Sequence, residues 1–257
     1  MLKILPPRII PTLLLRNRSF VKGMKFKNHQ YVGDPLNIIK LFNDLQASEI
    51  LIMGIDAREN NGPDFEYLDK ISSQAFMPLS YGGGIKDLSE ASKIISCGFE
   101  KVILNSTTLE NPELISLVSS KLGSSSTVGC IDVRKNKFLS GYKVFTNNAR
   151  KKEKIFVQDL ATMYQELGAG ELIINSVDLD GSGKGYDLAL IESLIKNVDI
   201  PLIVSCGANN ISDFKKAIDA GASGVSAGDF FIYKGEHRAV LVSYPDYEST
   251  YKLFSRE

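Results

Sequence analysis

The sequence predicts a single (β/α)8 barrel, and three observations carry that prediction. Short apolar runs rich in β-branched residues alternate along the chain with amphipathic stretches of helical period. The pattern also repeats. Met77–Gly84, continuing through Gly98, Val102 and Asn105, resembles Ile200–Gly207, continuing through Gly221, Val225 and Gly228, roughly half a chain later. Nearly the same displacement relates Ser48–Asp56 to Gly170–Asp178. Finally, at 257 residues and 44% hydrophobic content, the chain can bury one large core. One domain over residues 1–257 is expected, with half-barrels of about 1–125 and 126–257. An open doubly wound sheet is the alternative, but a half-chain repeat favours four units plus four.

The expected strands are Arg8–Leu13, Glu49–Ile55, Pro78–Tyr81, Lys101–Asn105, Thr127–Asp132, Glu171–Ser176, Pro201–Ser205 and Gly224–Ala227. Most are apolar at both alternating positions, as strands buried on two faces are. Helices are expected over Pro35–Gln46, Leu88–Cys97, Asn111–Leu122, Ile155–Leu167, Leu188–Lys196 and Ile211–Ala220. Asp34-Pro35 and Asn111-Pro112 each put a capping side chain ahead of a proline suited to the first turn. Gly98, Gly123, Gly168 and Gly221 stand where a C-cap glycine belongs.

A formal net charge of zero gives no global argument for nucleic acid or an anionic membrane. No apolar run approaches a membrane span, and Pro6-Pro7 interrupts the N-terminal segment. Cys97, Cys130 and Cys206 lack CxxC spacing, so a reduced, cytoplasmic setting is expected. Two histidines, His29 and His237, are a thin supply for a triad or a zinc site. Asp178 and Asp180 are too sparse for a hard-cation site, so neither metal nor cofactor is expected.

In such a barrel, chemistry sits at the C-terminal ends of the strands. Those ends supply Leu14, Leu15, Asp56, Gly82–Gly84 and Asn105-Ser106-Thr107 in the first half. The second half supplies Asp132, the segment Asn175–Ser182, Ser205–Ala208 and Ala227-Gly228. Small residues at strand-to-helix turns let backbone N–H groups approach a phosphate. Two such turns, related by the repeat, suit a substrate phosphorylated at both ends.

Several motifs in order carry a family resemblance: Arg8-Ile9-Ile10, Val21-Lys22-Gly23, Gly33-Asp34-Pro35, Gly82-Gly83-Gly84-Ile85, Asp132, Gly168-Ala169-Gly170-Glu171, Asp178-x-Asp180-Gly181 and Gly185-Tyr186-Asp187. Together they resemble the cyclase subunit of imidazole glycerol phosphate synthase over nearly the whole chain. The resemblance implies a barrel that receives ammonia from a glutaminase docked at its N-terminal face and passes it through the interior. It implies phosphate contacts at Gly82, Gly83, Gly84, Asn105 and Ser106, and at Asp180, Gly181, Ser182, Ser205, Gly207, Ala227 and Gly228. It further implies an entrance ring of Arg8, Glu49, Lys101 and Glu171, with Asp132 and Lys22 as catalytic residues.

The departures from that family bear on chemistry. The family uses two strand-end aspartates as acid and base; Asp132 matches one, and the other falls on Leu14, which carries no proton. A further family aspartate falls on Gly54, with Asp56 two residues on and therefore on the same strand face. Rescue by Asp56 or Asp180 would need a shifted substrate. Lys22 lies in the basic segment Arg16–Gly33, which in the family is a mobile loop and could equally be a solvated one. A second basic run, Arg134 to Lys154, holds eight Lys or Arg against Glu153 and suggests a hairpin after strand five. It could cover an anionic substrate, meet a partner or be solvated. No histidine stands ready to activate a cysteine.

Paralogues with an apolar triplet in place of the first aspartate resemble this chain. They are associated with amidine formation in bacterial surface-polysaccharide (lipopolysaccharide) synthesis, beside a glutaminase and a sugar amidotransferase. A cyclase of histidine biosynthesis that tolerates Leu14 is the first alternative. A non-catalytic scaffold that activates a glutaminase is the second.

Overall fold

The computed structural model describes residues 7–136, 141–235 and 237–255. Eight strands form a closed parallel barrel: Arg8–Arg16, Ile50–Gly54, Leu79–Gly82, Lys101–Leu104, Thr127–Lys135, Glu171–Ser176, Leu202–Ser205 and Gly224–Ala227. Each pairs with the next, and the eighth closes on the first through Arg8↔Gly224 and Ile9↔Val225. Helices between the strands cover the outside, and the chain forms a (β/α)8 barrel as expected. The strands differ from expectation mainly at two points. Strands one and five, at corresponding places in the two halves, run on to Arg16 and Lys135.

Both extensions become antiparallel hairpins. Strand one pairs with Ser19–Met24, which pairs with Lys27–Gly33. Strand five pairs with Tyr142–Thr146, followed by Lys151–Lys152. The tip expected at 137–140 lies outside the described residues. The basic segment 16–33 is therefore a sheet extension rather than a solvated loop. Two carboxylates of the loop after strand six hold these hairpins down. Asp178 accepts from Arg134 Nη1 at 2.8 Å, and Asp180 accepts from Lys22 Nζ at 2.8 Å.

Helix ends follow elementary capping. Asp34 accepts from the Asn37 amide ahead of Pro35, as expected, whereas Asn111 makes no capping bond and the helix starts at Glu113. A helix over Phe65–Ser72 fills a gap for which the sequence reading gave no bounds; Asp64 caps it and Tyr67, Leu68 and Ile71 bury its inner face. Gly98 and Gly221 follow their helices at φ of +93° and +107°, where a side chain would be strained.

Two cores result. One lies between strands and helices, and a smaller one inside the barrel joins Ile10, Leu51, Ile103, Val128, Cys130, Ile173 and Ile203. The outer core explains one departure. A Cβ at Gly54 would lie 2.3 Å from the hydroxyl oxygen of buried Tyr81. Even-numbered positions of strand two face outward, so Asp56 follows Gly54 away from the barrel interior. Its carboxylate accepts from the Asn17 amide at 2.8 Å and Asn60 Nδ2 at 3.0 Å, in a crevice outside the mouth. Asp56 cannot replace the acid missing at Leu14.

Gly54→Ala is expected to lower unfolding free energy by about 1–3 kcal/mol through this overlap. In a Tyr81→Phe background most of that loss should disappear, and urea denaturation of the four proteins of the cycle checks it.

Candidate active site at the barrel mouth

A cavity of about 490 Å³ opens at the C-terminal end of the barrel. Asp132, at the end of strand five, lies on its floor and is 5% exposed. Its neighbours on either side hold it. Asn105 Nδ2, from strand four, donates to Oδ2 at 3.0 Å, and Asn175 Nδ2, from strand six, donates to Oδ1 at 2.7 Å. Burial pushes the Asp132 carboxyl up to about 6, against the opposing pull of the two amides. A group near that value can take or give a proton at neutral pH. Across the mouth, Leu14 lines the cavity with a side chain that can do neither.

Lys22 reaches the same cavity from the first hairpin and is 5% exposed. Its ammonium donates to Asp180 Oδ1 at 2.8 Å and to the Gly23 carbonyl at 2.7 Å, and lies 3.0 Å from Asp229 Oδ1. The last contact is an ion pair without hydrogen-bond alignment. Burial would lower the lysine pKa; Asp180 and Asp229 overcome it and raise the value instead. Asp180 also accepts from the Phe26 amide at 3.1 Å.

Among the residues expected at phosphates, Gly82, Gly83, Gly84, Asn105, Ser106, Asp180, Ser205 and Gly228 line the cavity. The side chain of Asn105 is engaged by Asp132, so a phosphate there would meet backbone and Ser106. Gly181, Ser182, Gly207 and Ala227 are not part of the lining. Gly181 is packed against Gly23 and Met24, the Gly207 carbonyl accepts from the Gly185 amide, and Ala227 belongs to the outer core. The repeat persists in the backbone. Gly83 and Gly84 have φ of +125° and +69°, and their counterparts Cys206 and Gly207 have +79° and +107°.

At the opposite end of the barrel the four expected charges form a closed, alternating ring. Arg8 donates to Glu49 at 3.1 Å and to Glu171. Lys101 completes the circuit at 3.4 Å from Glu49 and 3.2 Å from Glu171. Both glutamates are 5% exposed. Burial would lower the Arg8 pKa, and its two carboxylate partners raise it. Two cations and two anions leave the ring neutral, which limits the cost of enclosing it.

Residues 8–238 match the family model described as "Histidine biosynthesis protein". The chain belongs to that family. It is 44% identical to a provisionally named imidazole glycerol phosphate synthase subunit HisF of Leptospira interrogans, across 97% of this chain and 99% of the relative. A provisionally named subunit hisF2 of Pseudomonas aeruginosa is also 44% identical, across 93% and 96%. An imidazole glycerol phosphate synthase subunit HisF of Petrotoga mobilis is 36% identical, across 89% and 91%. The chain is thus a HisF-like synthase subunit.

Some residues of this HisF-like mouth escaped the sequence reading. Arg58 and Lys86 line its first half, and Asn147 and Asn148 reach it from the second hairpin. Arg58 donates to Asn147 Oδ1 at 2.7 Å and pairs with Glu110 at 3.0 Å. The basic run 134–154 had suggested a hairpin, with cover, partner contact and solvation all left open, and had not singled out these asparagines. Asp229 was missed as well, although the half-chain shift pairs it with Ser106. Burial pushes the Cys130 and Cys206 thiols up, which leaves them protonated. Among the described residues, no group of three His, Cys, Asp or Glu side chains is placed to hold a metal ion.

The Asp132 environment predicts a pH dependence of stability. A folded-state pKa of about 6, above the ordinary carboxylate value, means that the group favours the folded state below about pH 4 and that this contribution is lost as pH rises through 6. Relative to Asp132→Asn, wild-type stability should fall by about 2 kcal/mol between about pH 4.5 and 7.5. Urea denaturation of both proteins across that range is the check; a flat difference refutes the raised value.

Proposed function

We propose that this HisF-like subunit takes ammonia from a glutaminase docked at the ring-closed face and delivers it to a phosphorylated acceptor at the mouth. The four-charge ring carries this reading. It sits at the one end of the barrel interior that faces away from the mouth, and the apolar layer of Ile10, Leu51, Ile103 and Ile173 lies between ring and site. Uncharged ammonia crosses such a layer with less cost than ammonium does, so the interior favours the neutral nucleophile.

The acceptor on this reading is not the substrate of ring closure in histidine biosynthesis. That reaction, in the family, uses two carboxylates, and Leu14 takes the place of one. We assign the acceptor instead to amidine formation in bacterial surface-polysaccharide synthesis, with a sugar amidotransferase as a further partner. A purely docking scaffold has no use for a buried, doubly braced Asp132 at the mouth.

Purified protein with saturating ammonium salt and the ribulosyl-formimino substrate of the histidine pathway should show no turnover above an Asp132→Asn control. Loss of one placed acid–base group costs about 10²–10⁴-fold. Substrate absorbance follows the reaction. Turnover at ordinary enzyme rates, abolished in the control, would instead identify a histidine-pathway cyclase.

A further inference from the structure

The two halves of the mouth are alike in backbone but differ in where they place carboxylates. In the first half, the helix after strand four begins at Ser106, whose hydroxyl accepts from the Asn147 amide at 3.0 Å. Arg58, paired with Glu110 at 3.0 Å, and Lys86 stand beside it, and Lys86 Nζ is bonded to uncharged oxygens of Asn61. An anion placed on Gly82–Gly84 meets donors and positive charge.

The corresponding helix of the second half begins at Asp229. A carboxylate therefore occupies the place that a hydroxyl holds in the first half. Asp180 adds a second carboxylate, and both oxygens of Asp229 are engaged, one with Lys22 and the other with Arg238 at 2.6 Å. The stem of Lys22 covers Gly228: a Cβ there would lie 2.7 Å from Lys22 Cε. A phosphate dianion entering this half would have to displace the lysine and then face two carboxylates. At close range in a poorly solvated site, like charges cost several kcal/mol.

We infer that Asp229 makes the mouth selective for a phosphomonoester, held at the Gly82–Ser106 end, whose far end is uncharged and carries hydroxyl or amine donors. Such donors can bond Asp180 and Asp229 directly. The inference deepens the proposed function and rests on its reading of the mouth as a phosphate-ligand site. It differs from the expectation of a phosphate at each end.

Isothermal titration of the full chain with ribose 5-phosphate and with ribulose 1,5-bisphosphate tests it. Wild type should bind the two within about threefold of one another. Asp229→Ser, which copies the first half, should raise the ratio of bisphosphate to monophosphate affinity by about tenfold or more, roughly 1.4 kcal/mol. Asp229→Asn serves as a second variant if the serine protein does not fold. Wild type that binds bisphosphate tenfold tighter than monophosphate overturns the inference and leaves the mouth a phosphate site. Failure of wild type and both variants to bind either probe overturns the reading of the mouth and the inference together.

Discussion

The constraint on which this molecule depends is the two-residue period of strands closed into a barrel. Once the eighth strand meets the first, every second side chain points inward, and each inward residue sits at a height set by its place in the strand. Arg8, Ile10 and Thr12 rise in one column; Lys101, Ile103 and Asn105 in another; Glu171, Ile173 and Asn175 in a third. The first layer is the charged ring, the second is the apolar interior and the third belongs to the mouth. Four residues separate Lys101 from Asn105, or about 13 Å along a strand. Ring and site are thus fixed relative to one another by the same hydrogen-bonded ladder. A one-residue slip in any strand would turn its contribution to both outward.

Electrostatics then divides the interior. The ring encloses four charges but alternates their signs, so each loses water and gains two partners. Asp132 has no cation against it, and its two partners are neutral amides. That difference is why its carboxyl is pushed up while Lys22, buried between two carboxylates, stays charged. The barrel keeps one group ready to exchange a proton and one held in its cationic form, and it does so through the choice of neighbours alone.

Much of this was legible in the sequence because burial on two faces leaves an apolar run that few other structures produce. Strand six, Glu171–Ser176, and strand eight, Gly224–Ala227, agree with expectation at both ends. The hairpin at Ser19–Gly33 was not legible, since exposed residues such as Lys27, Asn28 and Gln30 blur the period of two. Asn111 read as a cap from its type and position, but capping depends on a backbone angle that composition does not encode. Asp56 shows the limit of alternation. The rule gave its face correctly, yet which face looks into the barrel is a property of closure. Arg58 and Lys86 are single cations in loops, and no local pattern distinguishes them from solvated ones. Asp229 is a different case: the half-chain repeat carries Ser106 onto it, one residue beyond the glycine where the comparison stopped.

Leu14 and Asp229 form a consistent pair on the proposed reading. Ring closure moves protons on and off nitrogen at separate positions and needs two placed groups. Attack of ammonia on a single carbon centre is less demanding: the lone pair forms the new C–N bond as the carbon's π pair moves to its oxygen, and the adduct then collapses by breaking that C–O bond, the oxygen leaving as water with two protons that the nitrogen gives up. One carboxyl with a pKa of about 6 can accept the first of them. The same carboxyl can hand that proton to the departing oxygen, so a second acid across the mouth has no separate step to serve, and an apolar Leu14 there excludes water from the incoming ammonia. A second phosphate handle is equally dispensable if the acceptor is held at one end and read at the other by hydroxyl or amine groups. On this view, Asp229 and Leu14 mark the same change of substrate from opposite sides of the cavity, while the column linking the ring to Asn105 and Asn175 keeps the delivery route in place.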